Sequence, residues 1–186
     1  MARGRPVRII PAVLTVLLLS SAAIASGQTF AVQASGGPTM TDPGHSLAAG
    51  FAFSPTSHLA FMVDVERTHL SSQIQTDARG VTSAFRGGTV TLAAPALRVS
   101  LLGGDRIGPY GLVGLAAGVS RPNVTDLFPN RVTNEVRGPF AGGGILVPLR
   151  NRVTFFAEAR MMLVVGKEAD ELFAVAPFRA GIAWRF

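Results

Sequence analysis

The chain has 186 residues, 48% of them hydrophobic, and no cysteine. That is one domain's length, enough to bury a core or close a small barrel, and it excludes a disulfide framework, a thiolate metal site and a cysteine nucleophile. The formal charge of +6 does not imply a nucleic-acid partner: Arg3, Arg5 and Arg8 lie in a segment expected to be removed, leaving about 14 basic against 11 acidic residues with no basic run.

Residues 1–25 read as a cleaved signal peptide. The basic residues precede an apolar run over 13–19, and the small residues Ala23 and Ala25 fit an A-x-A-like cleavage site. The apolar run is short for a membrane-spanning helix of about 20 residues. Residues 26–186 are expected to be exported as a single domain.

Beyond the signal, no helical period holds for more than a turn. Eight alternating segments appear instead, at about 28–37, 46–54, 58–69, 88–102, 108–121, 136–148, 152–165 and 173–186, separated by Gly, Pro, Asn and Asp. The connections after the second, fourth and sixth segments are short, at about 54–57, 103–108 and 149–151. Those after the odd segments are longer, the longest at about 70–87 and 121–135. Short periplasmic turns opposite long surface loops are the pattern of membrane-spanning β-barrels.

The apolar face decides between membrane and water. In the third segment Leu59, Phe61, Val63 and Val65 share one parity, opposite Asp64 and Glu66. In the seventh, Val153, Phe155, Ala157, Ala159, Met161 and Leu163 oppose Glu158 and Arg160. A soluble periplasmic lipid carrier of lipocalin type would turn the apolar face inward, whereas a membrane barrel turns it to lipid. Segment lengths of about ten residues or more, Ala and Gly on the apolar face, and terminal aromatics favour the membrane form. The expected fold is all-β: an eight-stranded antiparallel up-and-down transmembrane β-barrel in a bacterial outer membrane.

Two stretches break the pattern. In the fourth segment Val90, Leu92 and Ala94 share a parity, but Leu97, Val99 and Leu101 take the other, which predicts a bulge at Ala94-Pro95-Ala96. Gly142-Gly143-Gly144 predicts sharp local curvature of a narrow barrel.

With the apolar face outward, Asp64, Glu66, Arg98, Glu158, Arg160 and Arg179 all point into the barrel at comparable depth. The interior of eight strands is only wide enough to be filled by side chains. Three acids and three arginines there are expected to neutralise one another as a salt-bridged plug. A small gated pore through the same cluster is the alternative. Arg185 also points inward, near the periplasmic rim.

The last stretch places Phe178, Ala180, Ile182, Trp184 and Phe186 on one parity. It resembles the closing strand of bacterial outer-membrane barrels, in which the terminal aromatic is an assembly signal. The resemblance implies that role for Trp184 and Phe186, with the barrel-assembly machinery as a partner. The interior charges resemble those of the OmpA-like transmembrane domain, a likeness that covers about 28–186. A monomer in contact with outer-membrane lipid and lipopolysaccharide is expected. Because the chain stops at Phe186, no peptidoglycan-binding domain is expected. The expected role is non-catalytic, structural or surface-binding, through loops 70–87 and 121–135.

One triplet admits an enzyme. His69-Leu70-Ser71 resembles the His-x-Ser arrangement of outer-membrane lipid A deacylases, which are also eight-stranded barrels. The resemblance implies His69 as base, Ser71 as nucleophile and Glu66 as orienting acid. The triplet follows the third strand instead of lying late in the chain, and His69 has the lipid-facing parity. His45 and His58 stand apart, so no metal site is expected. Gly87-Gly88 and Gly103-Gly104 lack the strand-to-helix context of a phosphate loop, so no nucleotide cofactor is expected.

Overall fold

A computed structural model describes residues 28–40, 43–76, 82–85, 87–123, 133–150, 152–166 and 172–186. The expected signal peptide at 1–25 and most of the loop at 121–135 lie outside these residues.

The described strands are β1 (Thr29–Pro38), β2 (Gly44–Ser54), β3 (Leu59–Leu70), β4 (Gln73–Thr76), β5 (Thr82–Phe85), β6 (Gly88–Ser100), β7 (Gly108–Pro122), β8 (Asn134–Arg150), β9 (Val153–Gly166), β10 (Leu172–Val175) and β11 (Phe178–Arg185). Hydrogen-bonded neighbours run from β1 through β2, β3, β6, β7 and β8 to β9. Both β10 and β11 pair with β9, and β11 pairs again with β1. The sheet is therefore closed, with eight antiparallel staves. Closure leaves no unpaired edge, as a membrane requires.

Alternation fixes what each face meets. Along β3, Asp64, Glu66 and Thr68 are buried while Phe61, Val63 and Val65 are exposed. Along β9, Phe156, Glu158, Arg160 and Met162 are buried while Phe155, Met161, Leu163 and Val165 are exposed. Val113, Leu115, Ile145, Ile182 and Trp184 extend the exposed apolar surface around the barrel. Apolar residues outside and ionised residues inside reverse the soluble arrangement. This is the surface of a barrel whose solvent is lipid.

The expected eight segments are recovered with shifts. The eighth stave is split, because Pro177 cannot donate to the ladder. Pro177 instead accepts from Arg160 N at 3.1 Å and forms an isolated bridge with Thr39. The loop expected at 70–87 carries the separate hairpin β4–β5. Paired residues reach Pro38 and Gly44, so the connection 39–43 is shorter than expected and no longer than the turn 101–107. Gly103 in that turn has φ 83°, the one positive φ among the described residues.

The expected bulge at Pro95 is not there. Pairing of β6 with β7 skips Ala94 and Pro95 but resumes on the same register, with Ala93 opposite Ala117 and Ala96 opposite Gly114. Val90, Leu92 and Ala94 are buried inside, while Val99 is exposed outside. The parity switch thus records a change in what fills the barrel, with no change of register. The irregularity lies between Pro148 and Arg150, where β8 shifts against β9.

Candidate functional site

The barrel interior has three levels. At mid-depth, β3, β9 and β11 bring together Asp64, Glu66, Glu158, Arg160 and Arg179, none more than 2% exposed. Asp64 and Glu66 are two residues apart on β3, and Glu158 and Arg160 two apart on β9, so each pair projects to the same side. Arg179 lies beside Glu158 because β11 pairs with β9 in that register.

Arg179 is the hub. Its Nη1 donates to Glu66 Oε2 at 3.0 Å, its Nη2 to Asp64 Oδ2 at 3.4 Å, and Nη2 also donates to Glu158 Oε1. Arg160 Nη2 donates to Asp64 Oδ2 at 2.6 Å. Its Nε lies 2.7 Å from Glu158 Oε1 but off the hydrogen-bonding direction, which makes that contact a charge pairing only. The remaining face of Arg160 sits over the Phe140 ring, 5.3 Å from its centroid.

Neutral partners complete the carboxylates. Gln33 Nε2 donates to Asp64 Oδ1 at 2.6 Å, Ser46 Oγ to Glu66 Oε1 at 2.7 Å, Thr68 Oγ1 to Glu66 Oε1 at 3.1 Å, and Tyr110 Oη to Glu158 Oε2 at 2.7 Å. Buried carboxylates with every oxygen engaged are the condition under which such a cluster is tolerated. Sequence reasoning missed all four partners. Each shares the inward parity of the charges, and Ser46 stands directly opposite Thr68.

Room for the cluster comes from glycine. Gly50 stands opposite Asp64, Gly142 opposite Arg160 and Gly144 opposite Glu158. A Cβ on Gly144 would meet the Ala157 carbonyl oxygen first and then Glu158 Cβ at 2.9 Å, and one on Gly142 would meet the Ala159 carbonyl oxygen first and then Arg160 Cγ at 3.1 Å. Gly142 and Gly144 therefore pair an absent side chain with a large one across the ladder, which curvature alone does not explain.

Arg98 is not part of this contact network. In the β3–β6 register Asp64 faces Ala94, four residues along β6 from Arg98, a separation of about 13 Å at the usual strand rise. Its guanidinium lies 5.6 Å from the Tyr110 ring centroid, and its Nε has no hydrogen-bond partner in the protein. No ion pair involves Arg98 among the described residues.

Toward the long-loop end the interior becomes apolar, with Val90, Leu92, Val136, Phe140, Met162, Val164 and Val175 all buried. Toward the chain ends it opens into a polar cavity of about 100 Å³, whose wall includes Gln33, Arg98, Ser100, Thr154 and Arg185. Arg185 is held at this mouth by Asp105 Oδ1, by Gly104 O at 2.7 Å and by Thr154 Oγ1 at 2.7 Å. Trp184 and Phe186 are exposed on the outer face of the same end.

The His69-x-Ser71 site does not assemble. Glu66 faces inward, bound to Ser46, Thr68 and Arg179, while His69 lies on the outward parity. The ring of His69 packs against His45, with centroids 5.4 Å apart, and Ser71 is an exposed residue whose N–H donates to Pro43 O. Glu66 cannot orient that ring, because odd and even positions of one strand face opposite sides.

Compared by sequence, the chain matches no protein-family model and no curated protein. Compared by structure, it matches Neisserial surface protein A with a TM-score of 0.64 at 12% identity, over 87% of this chain and 98% of that one. It shares the fold of eight-stranded outer-membrane barrels. A second match is Ail, the attachment invasion locus protein of Yersinia pestis, with a TM-score of 0.54 at 10% identity, over 87% of this chain and 99% of that one. Ail has also been solved in complex with the heparin analogue sucrose octasulfate. The shared fold and the apolar outer surface make the protein a lipid-facing, eight-stranded β-barrel.

Proposed function

We propose that the protein is a non-catalytic outer-membrane barrel that acts by binding at its outer end. The observation that carries this reading is the filled interior: a paired charge cluster backed by a buried apolar layer on the long-loop side. A barrel filled in this way has no through path to conduct, and its function falls to the surfaces at its ends.

The outer end is built to hold its loops. Asn123 N donates to Gly87 O at 2.8 Å, Gly87 N to Ser72 Oγ at 3.2 Å, and Asn123 Nδ2 to Ser72 Oγ at 3.3 Å. These contacts tie the base of the β4–β5 hairpin to the start of the next loop. Just below, on the outward face, His45, His69, Thr89 and Arg121 stand in one register row across β2, β3, β6 and β7, with the exposed Arg67 two residues from His69. Two arginines and two imidazoles at this level, with the Thr89 hydroxyl between them, suit anionic saccharide, in the first place the phosphates of lipopolysaccharide.

The test compares binding of lipopolysaccharide and phosphatidylcholine vesicles by the folded protein, with sucrose octasulfate as soluble competitor, alongside planar-bilayer conductance. Preference for lipopolysaccharide that falls in an Arg67→Gln, Arg121→Gln double variant, together with background conductance, is expected. Equal binding to both vesicles, or conductance that changes in Glu158→Gln, contradicts the reading.

A further inference from the structure

The register of β2 against β3 sets His45 directly opposite His69 at the outer end of the barrel. Their ring centroids are 5.4 Å apart, with the planes inclined by 43°. Both project from the outward face, away from the filled interior. His45 is exposed, and Nε2 of the half-buried His69 is open to solvent with no partner among the described residues. Read along the chain, the two histidines have no metal-ligand spacing; the pairing of the strands brings them together.

Two facing imidazoles in their neutral form are ligands for a borderline divalent ion such as zinc. At about 2.0–2.1 Å from each ligating nitrogen, a tetrahedral ion holds two imidazole ring centres about 5.2 Å apart. The 5.4 Å between His45 and His69 matches that spacing. Ring packing alone tolerates about 4.5–7 Å, so a second observation carries the argument further. His69 Nδ1 lies 3.5 Å from Thr89 Oγ1. An N–H on Nδ1 directed at that oxygen leaves the lone pair on Nε2, which is how a metal-bound histidine is commonly held from behind.

We propose that His45 and His69 form a surface site for a single divalent transition-metal ion of the zinc class, bound through Nε2 of His69 and the facing nitrogen of His45. The nearest charged residues by register are cations, the exposed Arg67 two residues from His69 and the exposed Arg121 opposite Thr89. At an exposed site water solvates the ion, and salt screens repulsion from a side chain about 7 Å along the strand. No buried charge has to be balanced, and the open positions on the ion take water or anionic oxygens. The ion is held without lipopolysaccharide. The site therefore stands or falls apart from the surface-binding reading, whose test rests on Arg67 and Arg121.

The experiment titrates Zn²⁺ into the folded protein, carrying no polyhistidine tag, in a nonionic detergent at neutral pH, and follows the imidazole ¹⁵N resonances. Saturable binding that moves the His45 and His69 signals and leaves those of His58 in place is expected. His58 lies at the opposite end of the barrel, its Nδ1 engaged with Ser100 O at 2.9 Å. His45→Ala and His69→Ala should each weaken Zn²⁺ by at least about tenfold, whereas His58→Ala should leave it unchanged. Retention of the gel shift on boiling shows that each variant folds, and the resonances of the parent protein decide the matter if one does not. Mg²⁺, which prefers oxygen ligands, is the control for general attraction of cations. Absence of saturable binding, equal affinity for Mg²⁺, movement of the His58 signals alone, or undiminished binding in His45→Ala would overturn the proposal.

Discussion

Arg179 Nη1 donates to Glu66 Oε2 at 3.0 Å, joining the closing stave of the barrel to β3 across the interior. The same guanidinium reaches Asp64 and Glu158, so one side chain engages all three buried acids. Removing one member of a buried ion pair strands the other. Arg179→Met is therefore expected to destabilise the folded barrel by about 3–5 kcal/mol. Arg179→Met with Glu66→Gln should cost less than the sum of the two single changes. Urea unfolding in lipid vesicles measures both, and additive effects would mean that the two groups are not coupled.

The glycines opposite the charges give a second, sharper expectation. Gly144→Ala places a Cβ against the Ala157 carbonyl oxygen and Glu158 Cβ and should cost about 1–3 kcal/mol through overpacking. Gly111 faces outward, and a Cβ added there would have no neighbour within 4 Å. Gly111→Ala should accordingly be neutral or slightly stabilising. The two variants differ in which face of the same ladder receives a methyl group, so equal unfolding midpoints would refute the steric account.

Much of this was legible in the chain. The phase of β3 and β9 follows directly from alternation, because each carries ionised residues on one parity and bulky apolar ones on the other. The part that misled was β6, where both faces are apolar in turn. Val90 and Leu92 face a dry interior and Val99 faces lipid, and hydrophobicity alone does not distinguish those two solvents. Arg98 shows the same limit for depth. Parity put it inside, but only the register of β6 against β3 separates it from Asp64. Tyr110, Gln33, Ser46 and Thr68 were missed because a lone polar residue on an inward parity carries no signal until its partner across the barrel is known.

The lipid face predicts a depth-dependent penalty. Leu115 lies midway along β7 and is 65% exposed, whereas Leu101 lies in the short turn at the barrel's end. Leu115→Arg is expected to cost about 2–4 kcal/mol and Leu101→Arg about 0–1 kcal/mol. The same unfolding assay reads both. Equal penalties would mean that Leu115 does not sit near the bilayer midplane.

Because Glu66 faces away from His69, neither His69→Ala nor Ser71→Ala should change the acylation state of lipid A. Mass spectrometry of lipid A from cells expressing each form checks this. Release of an acyl chain by the parent that is lost in both variants would restore the enzymatic reading of that triplet.

The most direct test of a closed barrel in the outer membrane is the joint measurement of location and heat-modifiability. The chain is expressed with residues 1–25 in place, outer membranes are isolated, and gel mobility is compared with and without boiling. A band in the outer-membrane fraction that changes mobility on boiling is predicted, since a closed barrel resists detergent until it is heated. A water-soluble band that does not shift would contradict it. Asp64, Glu66, Glu158 and Arg160 would then face solvent, and the apolar residues that include Val113, Leu115 and Ile182 would form the core.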